Sequence, residues 1–290
     1  MRLKKLLALA TASALAVTML AACSSGSNTS AGTTSDSNAG TSTSTPAPSG
    51  DKVTLQLGFE KSLSEPVGQA AEKWAELVAE KSNGTMELVL YPDSQLGDKS
   101  ELIDSMLLGE PVCTLADGAF YADYGVPDFG IVFGPFLFDN WEQCWTLIES
   151  DWYKEQCAQL EDKGLKLLAS NWAYGARHTL TVNPVNTVDD LAGMKIRVPN
   201  NKIQSLGFDV LGAASTGMAL GDVYQALQTK TIDGAENPLS TLYGRKLHEV
   251  AKYLILDGHV LNFTTCAPHG RSATKRCKNY CTISICLKRC

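Results

Sequence analysis

Histidine is scarce in this 290-residue sequence, with four scattered copies at His178, His248, His259 and His269. No Walker loop, GxGxxG turn, HExxH helix or Ser-His-Asp spacing accompanies them, so no catalytic site, metal site or cofactor is expected. Basic charge is short as well. Between Asp51 and Thr265 lie 30 acidic and 16 basic residues, a net charge of −14. No basic patch interrupts that balance, which argues against nucleic acid as a partner. An anion site in such a body must rely on local arginines rather than on the overall field. The apolar run Leu6–Leu20 is also short, 15 residues against the roughly 20 that a membrane-spanning helix needs.

What is present begins with that run. Three basic residues in Met1–Lys5 precede it, and Leu20-Ala21-Ala22-Cys23 closes it. The pattern predicts a secretion signal over residues 1–22. Its ending resembles a bacterial lipobox, which would make Cys23 the lipid-modified first residue of an extracytoplasmic, membrane-anchored protein. The alternative is an ordinary cleaved signal with an incidental cysteine. Residues 23–50 form a Ser/Thr/Gly linker whose only charge is Asp36. It has too little apolar surface to offset its ordering entropy, so a disordered tether with a reach of roughly 30 Å is expected.

Residues 51–265 alternate strand and helix patterns. Val53–Phe59 alternates as a strand, Pro66–Ser82 repeats apolar residues at helical spacing, and Thr85–Tyr91 is again a strand. Lys99–Leu108 reads as a helix, Val112–Ala116 as a strand, Trp141–Lys163 as one long helix, and Leu165–Ser170 and Arg177–Asn183 as two strands. A strand over Met194–Val198, a helix over Lys202–Leu211 and another over Asp222–Thr229 complete the pattern. This predicts α/β lobes with largely parallel sheets. Ligands in such sheets bind at the carboxyl ends of strands. Arg197 stands at one such end, and Asn237 is placed in the loop before Pro238.

The phrases IRVPN, LGFDVLGAASTGMALGDVYQAL and VYQALQTKTIDGAENPL, in this order and spacing, resemble the solute-binding proteins of tripartite ATP-independent periplasmic (TRAP) transporters, of the dicarboxylate-receptor type. The resemblance implies a two-lobed periplasmic-binding-protein-like α/β fold with an interlobe cleft. It implies a small organic acid as ligand, and integral membrane subunits of an ion-driven transporter as partners. Arg197 matches the arginine that clamps the ligand carboxylate, Arg177 a second contacting arginine, and Asn237 and Asn200 hydrogen-bonding asparagines. Leu220 stands where many relatives have an aromatic, and Glu236 and Asp98 are candidate polar contacts. Arginine suits this work because its planar fork makes two parallel charge-assisted bonds and stays protonated. Two working arginines would suit a dicarboxylate or sugar acid, one a monocarboxylate. A ligand sensor and a secreted cleft enzyme are the alternatives.

Residues 266–290 change character. They hold five of the nine cysteines and six basic residues with no acid. The spacing of Cys277, Cys281, Cys286 and Cys290 matches no common zinc pattern, and an odd cysteine count fits a disulfide framework poorly. A shifted reading frame is the favoured explanation. By the resemblance, C-terminal elements are then missing. Cys113, Cys144 and Cys157 are expected to be buried small apolar residues, with a disulfide as the alternative, and Phe129–Phe138 to pack in a core or hinge.

Overall fold

The computed structural model describes residues 52–268. The expected signal segment, Cys23, the linker 23–50, His269 and the tail beyond Pro268 lie outside the described residues.

The chain opens with β1 (Val53–Gly58), α1 (Pro66–Lys81) and β2 (Met86–Tyr91), the two strands parallel. Pro66 suits the first turn of α1, where its missing N–H costs no intrahelical bond. Val67, Ala71, Trp74 and Val78 recur at helical spacing and form its buried face. α2 (Lys99–Leu108) starts in a capping box between Asp98 and Glu101 and stops at Gly109 in the left-handed region, which glycine enters without a Cβ clash. β3 (Val112–Ala116), buried throughout, pairs parallel to β1 on its other edge.

After α3 (Gly118–Asp123) and a 3₁₀ turn, Pro127–Phe133, one helix is expected over Trp141–Lys163. Two form instead: α4 (Trp141–Glu149) and α5 (Asp151–Asp162). Ser150 is the reason. Its backbone is extended, and its Oγ accepts the Tyr153 N–H at 3.2 Å, capping α5 instead of continuing α4.

The two strands expected over Leu165–Ser170 and Arg177–Asn183 are in fact one, β4 (Ala169–Thr181). Next come β5 (Lys195–Val198), α6 (Lys202–Asp209), β6 (Ala214–Gly217), a 3₁₀ turn Leu220–Asp222, and α7 (Val223–Gln228). β7 (Gly234–Pro238), α8 (Leu239–Gly244) and β8 (Tyr253–Pro268) complete the described residues. β4 pairs antiparallel with β8 through three register shifts, at Ala169/Trp172, Ala173/Gly175 and Arg177/Thr179. In the first two, β4 carries one extra residue, which reverses the face used by the residues that follow and scrambles the period-2 pattern of a continuous strand; in the third the extra residues are in β8.

All eight strands form one sheet in the order β2-β1-β3-β8-β4-β7-β5-β6. The flanks are parallel as expected, whereas the β3–β8, β8–β4 and β4–β7 pairings are antiparallel. β4 and β8 therefore run from one lobe into the other. The first lobe is built around Leu57, Trp74, Ile103, Leu115, Tyr121 and Phe129. The second has two smaller cores, one around Val223, Leu227 and Ile232 and one around Ile196 and Val198. Phe133 packs with Val260 of the crossing strand and Phe129 and Phe138 with the first lobe's core, while Phe136 is exposed.

Two further positions differ from expectation. Asn237 lies inside β7, opposite His178, rather than in a loop; Pro238 ends the strand and stands before α8. The composition break after Thr265 does not end the sheet, since Leu115 pairs with Cys266 and Cys113 with Pro268. Cys113, Cys144 and Cys266 are buried, unbridged thiols, and Cys157 is half-buried and unbridged. No helix among the described residues is long and apolar enough to cross a membrane.

Candidate ligand-binding site

The carboxyl ends of two parallel strand pairs, β1–β3 and β5–β7, which run in opposite directions in the sheet, lie toward the space between the lobes, where loops can present side chains to a ligand. β1 is followed by Glu60 and Lys61 and β3 by Asp117, while Arg197 and Asn237 stand next to last in β5 and β7. Gly68 lets α1 press on the first of these loops. A Cβ there would lie 2.1 Å from the Ser62 carbonyl oxygen, so any larger residue would push away the segment that carries Glu60 and Lys61.

Arg197 is 1% exposed. Its Nε and Nη2 donate to the Met218 carbonyl at 2.9 and 2.6 Å, and neither bond uses Nη1. Among the described residues it makes no ion pair. Burial pulls its pKa down while Glu60 and Glu236 hold it up; a guanidinium so placed remains charged at neutral pH. It borders a space of about 10 Å³ shared with Glu60, Asp98, Lys99, Phe120, Asn200 and Met218.

Arg177 is equally buried but fully engaged. Its Nη2 donates to Glu236 Oε1 at 2.7 Å and to the Glu236 carbonyl at 3.1 Å, its Nε donates to Glu236 Oε2, and its Nη1 donates to Asn262 Oδ1 at 3.0 Å. Glu236 also accepts from Gln204 Nε2 at 3.1 Å and lies 3.3 Å from His259 Nε2. Burial would raise the Glu236 pKa, but Arg177 and His259 bring it down to about 2. Burial disfavours the charged form of His259, yet its bonds to Asp257 and Glu236 lift its pKa to about 9. Arg177 and Glu236, both singled out as ligand contacts by sequence, are thus brought against each other.

The other expected residues separate. Asn237 accepts from the Tyr174 hydroxyl at 3.2 Å, and its buried Nδ2 has no partner among the described residues. Tyr174 also meets Thr241, which donates to Glu65 at 2.6 Å across the lobes. Asn200 reaches Asp98, the cap of α2, at 3.5 Å. Leu220 does not border the space at Arg197; it is packed with Val223, Ala226 and Leu227.

Sequence reasoning passed over Glu60 and Lys99, which border the space at Arg197, and Lys61 and Asp117 beside them. Lys99 Nζ is 3.0 Å from Glu60 Oε2, and Lys61 Nζ is 3.5 Å from the same oxygen and 4.4 Å from the Tyr174 ring centre. Burial would raise the Glu60 pKa, but Lys99, Lys61 and Arg197 hold it well below the usual carboxylate range. Asp117 is pushed up by burial, with Lys99, Arg177 and Lys61 opposing, and its buried Oδ1 has no partner among the described residues. The strand-end rule that pointed to Arg197 also applies to Glu60 and Lys61.

A larger cavity of about 550 Å³ lies elsewhere, lined by Phe133, Val188, Leu191, Phe208, Leu211 and Ile255, with Glu236 and Asp257 among its polar members. Its Glu236 and Asp257 carboxylates are paired with His259, which also lines it; no cation without a carboxylate partner borders it among the described residues, so Arg197 marks the better acid site.

The sequence profile of DctP, described as bacterial extracellular solute-binding protein, family 7, matches residues 57–266. The chain belongs to this family. The sialic acid-binding periplasmic protein of Vibrio cholerae is 33% identical over 72% of this chain and 65% of its own length. The C4-dicarboxylate-binding periplasmic protein of Rhodobacter capsulatus is 32% identical over 67% of this chain and 58% of its own. The chain thus spans about two thirds or less of the length of these curated relatives. A TRAP periplasmic solute-binding protein from Ochrobacterium anthropi, solved with bound L-fuconate, superposes with a TM-score of 0.79 and 37% identity, covering 81% of this chain and 78% of that one. The described DctP-family fold is accordingly the two-lobed mixed α/β architecture of those binding proteins.

Proposed function

We propose that this protein is an extracytoplasmic receptor that captures a small organic acid and delivers it to the membrane subunits of a TRAP transporter. One observation carries the reading. Arg197 is a buried guanidinium at a strand end between two lobes, with Nη1 left over and no ion pair among the described residues. A buried charge held ready in this way favours an anionic ligand that completes its hydrogen bonds, because its desolvation has already been met on folding. The acids bound by the relatives, sialic acid, C4-dicarboxylates and L-fuconate, share the carboxylate such a group needs.

The lobes meet through contacts that can break. Thr241–Glu65, Asn200–Asp98, Lys202–Asp123 and Arg245 with the Glu60 carbonyl and Asp93 all cross between them. Of these, Asn200–Asp98 and Lys202–Asp123 are exposed and contribute about 0–1 kcal/mol each, whereas Thr241–Glu65 is buried; flexing of β4 and β8 would admit a ligand and closure would exclude water from the ion pair. In this reading the protein is a receptor and not an enzyme. A lipid on Cys23 and the linker 23–50 would keep it beside its membrane partners.

The test is a thermal-shift screen of the purified protein against sialate, succinate, L-fuconate and galactonate, followed by calorimetry of Arg197→Lys. Lysine keeps the charge and loses the fork, so affinity should fall by roughly 30-fold, about 2 kcal/mol. A protein stabilised only by neutral solutes, or an Arg197→Lys variant that binds its acid as tightly as the parent, would overturn the proposal.

A further inference from the structure

The short helix α8 belongs to the second lobe, where Leu242 packs with Val223 and Leu227. Its side chains nevertheless hold the loop after β1, residues 59–65 of the first lobe. Near the start of that loop, Nη2 of Arg245, just past the end of α8, donates to the Glu60 carbonyl and lies 3.3 Å from Asp93 Oδ1. Asp93 and Ser94 brace the same loop from within the first lobe, their N–H groups donating to the Lys61 and Phe59 carbonyls at 3.1 Å each. At the end of the loop the Thr241 hydroxyl donates to Glu65 Oε2 at 2.6 Å, and Oε1 of that carboxylate accepts the Ser62 N–H at 3.0 Å. Gly244 permits the close approach, since a Cβ there would lie 3.0 Å from Glu65 Cγ. Both ends of this grip lead to the ligand site. Glu60 borders the space at Arg197, and the Tyr174 hydroxyl stands between Thr241 and Asn237, at 2.8 and 3.2 Å.

We propose that Arg245 and Thr241 are positioning residues of the acid site: they clasp the loop 59–65 across the lobes, set Glu60 beside Arg197, and slow the release of ligand. This rests on the acid-receptor reading above and adds to it two residues that do not themselves border the space at Arg197. The clasp is also built to let go. Arg245 Nε is buried without a hydrogen-bond partner among the described residues, and a buried donor left unbonded disfavours the state that buries it. Water reaches that N–H once the lobes part. Closure thus gains the Glu60 and Asp93 contacts and loses the hydration of Nε, which narrows the gap between the two states and lets the bonds of a ligand tip it. Lysine in place of Arg245 keeps a cation for the carbonyl and the carboxylate but has no counterpart of Nε, so it should hold the loop at least as well. Alanine should free it.

The experiment compares the purified parent, Arg245→Ala and Arg245→Lys, first without ligand. Amide hydrogen exchange read by mass spectrometry should be at least about tenfold faster at residues 61–65 and 93–95 in Arg245→Ala, unchanged in α7, and no faster than the parent in Arg245→Lys. A residue that only supported its own lobe would speed α7 and leave the first-lobe loop alone. Stopped-flow binding then uses whichever of succinate, galactonate and L-fuconate the parent holds most tightly. Its dissociation rate should rise about tenfold in Arg245→Ala while the association rate stays within about twofold. Should Arg245→Ala not fold, Thr241→Val, which removes only the hydroxyl, takes its place in both measurements. Unchanged loop exchange in a folded variant overturns the clasp, whether or not any acid binds. Faster loop exchange with an unchanged dissociation rate overturns the role in release. Failure of the folded parent to bind all three acids counts against the acid-receptor reading, and the exchange comparison then decides the clasp by itself.

Discussion

Arg177 and Arg197 are both almost fully buried, and their strands lie in the same sheet with β7 between them. They differ in what faces them. Arg177 is wrapped by Glu236 and Asn262, with His259 and Gln204 bracing the Glu236 carboxylate from the other side. Arg197 holds only a backbone carbonyl. The first environment is a closed network in which charges cancel, as structural arginines require. The second is open by one face of a guanidinium. Residue type and burial are the same in the two places, and only the accounting of hydrogen-bond partners separates a brace from a binding group.

That contrast can be broken most forcefully at the brace. Arg177→Met removes the cation but leaves Glu236 buried, and stability should fall by about 3–5 kcal/mol, read by urea denaturation. A change below about 1 kcal/mol would mean that the network is not structural. The double variant Arg177→Met/Glu236→Leu should recover most of the loss, because an apolar pair replaces the ion pair without leaving a lone charge.

The pH response of the same network comes next. The pKa of His259 is about 9 in the folded protein and roughly 6.5 in an unfolded chain. A folded pKa above the unfolded one means that the stabilisation is fully present below about pH 6.5 and is lost as pH rises through about 9. Its full size is about 3 kcal/mol. Denaturation midpoints should therefore decline across this window, and His259→Gln should flatten the decline. An unchanged slope in that variant would assign the pH response elsewhere.

Arg197 should behave in the opposite way to Arg177. Arg197→Lys is expected to leave stability within about 1 kcal/mol of the parent while affinity falls by roughly 30-fold. The smallest effect belongs to Asn200, whose 3.5 Å contact with Asp98 is exposed. Asn200→Ala should cost less than about 0.5 kcal/mol of stability. A tenfold loss of affinity in that variant would add Asn200 to the ligand contacts and sharpen the boundary of the site.

Local chemistry made much of this visible beforehand. The apolar spacing of α1, its Pro66 start, the bounds of α2 and the strand ending at Val198 all depend on neighbours within a few residues, and they form where the pattern places them. The break at Ser150 is also local, but a helical period runs through it, and only the side-chain cap chosen in the fold reveals two helices. The pattern of β4 reads as two strands because its bulges are fixed by β8, roughly 80 residues away in sequence, and pattern alone carries no record of that partner.

The same division holds for the site. By itself, the sequence determined the family-bearing phrases, the alternating α/β order and the position of Arg197 at a strand end, since each is a property of contiguous residues. Tertiary structure alone decided that Arg177 and Glu236 would neutralise each other and that Leu220 would enter the second lobe's core. It also brought Lys61 and Lys99 onto Glu60, and placed Glu60 and Lys99 at the space beside Arg197. Burial and pairing of charge depend on which distant groups arrive at the same place, and that is set by how the lobes close around β4 and β8.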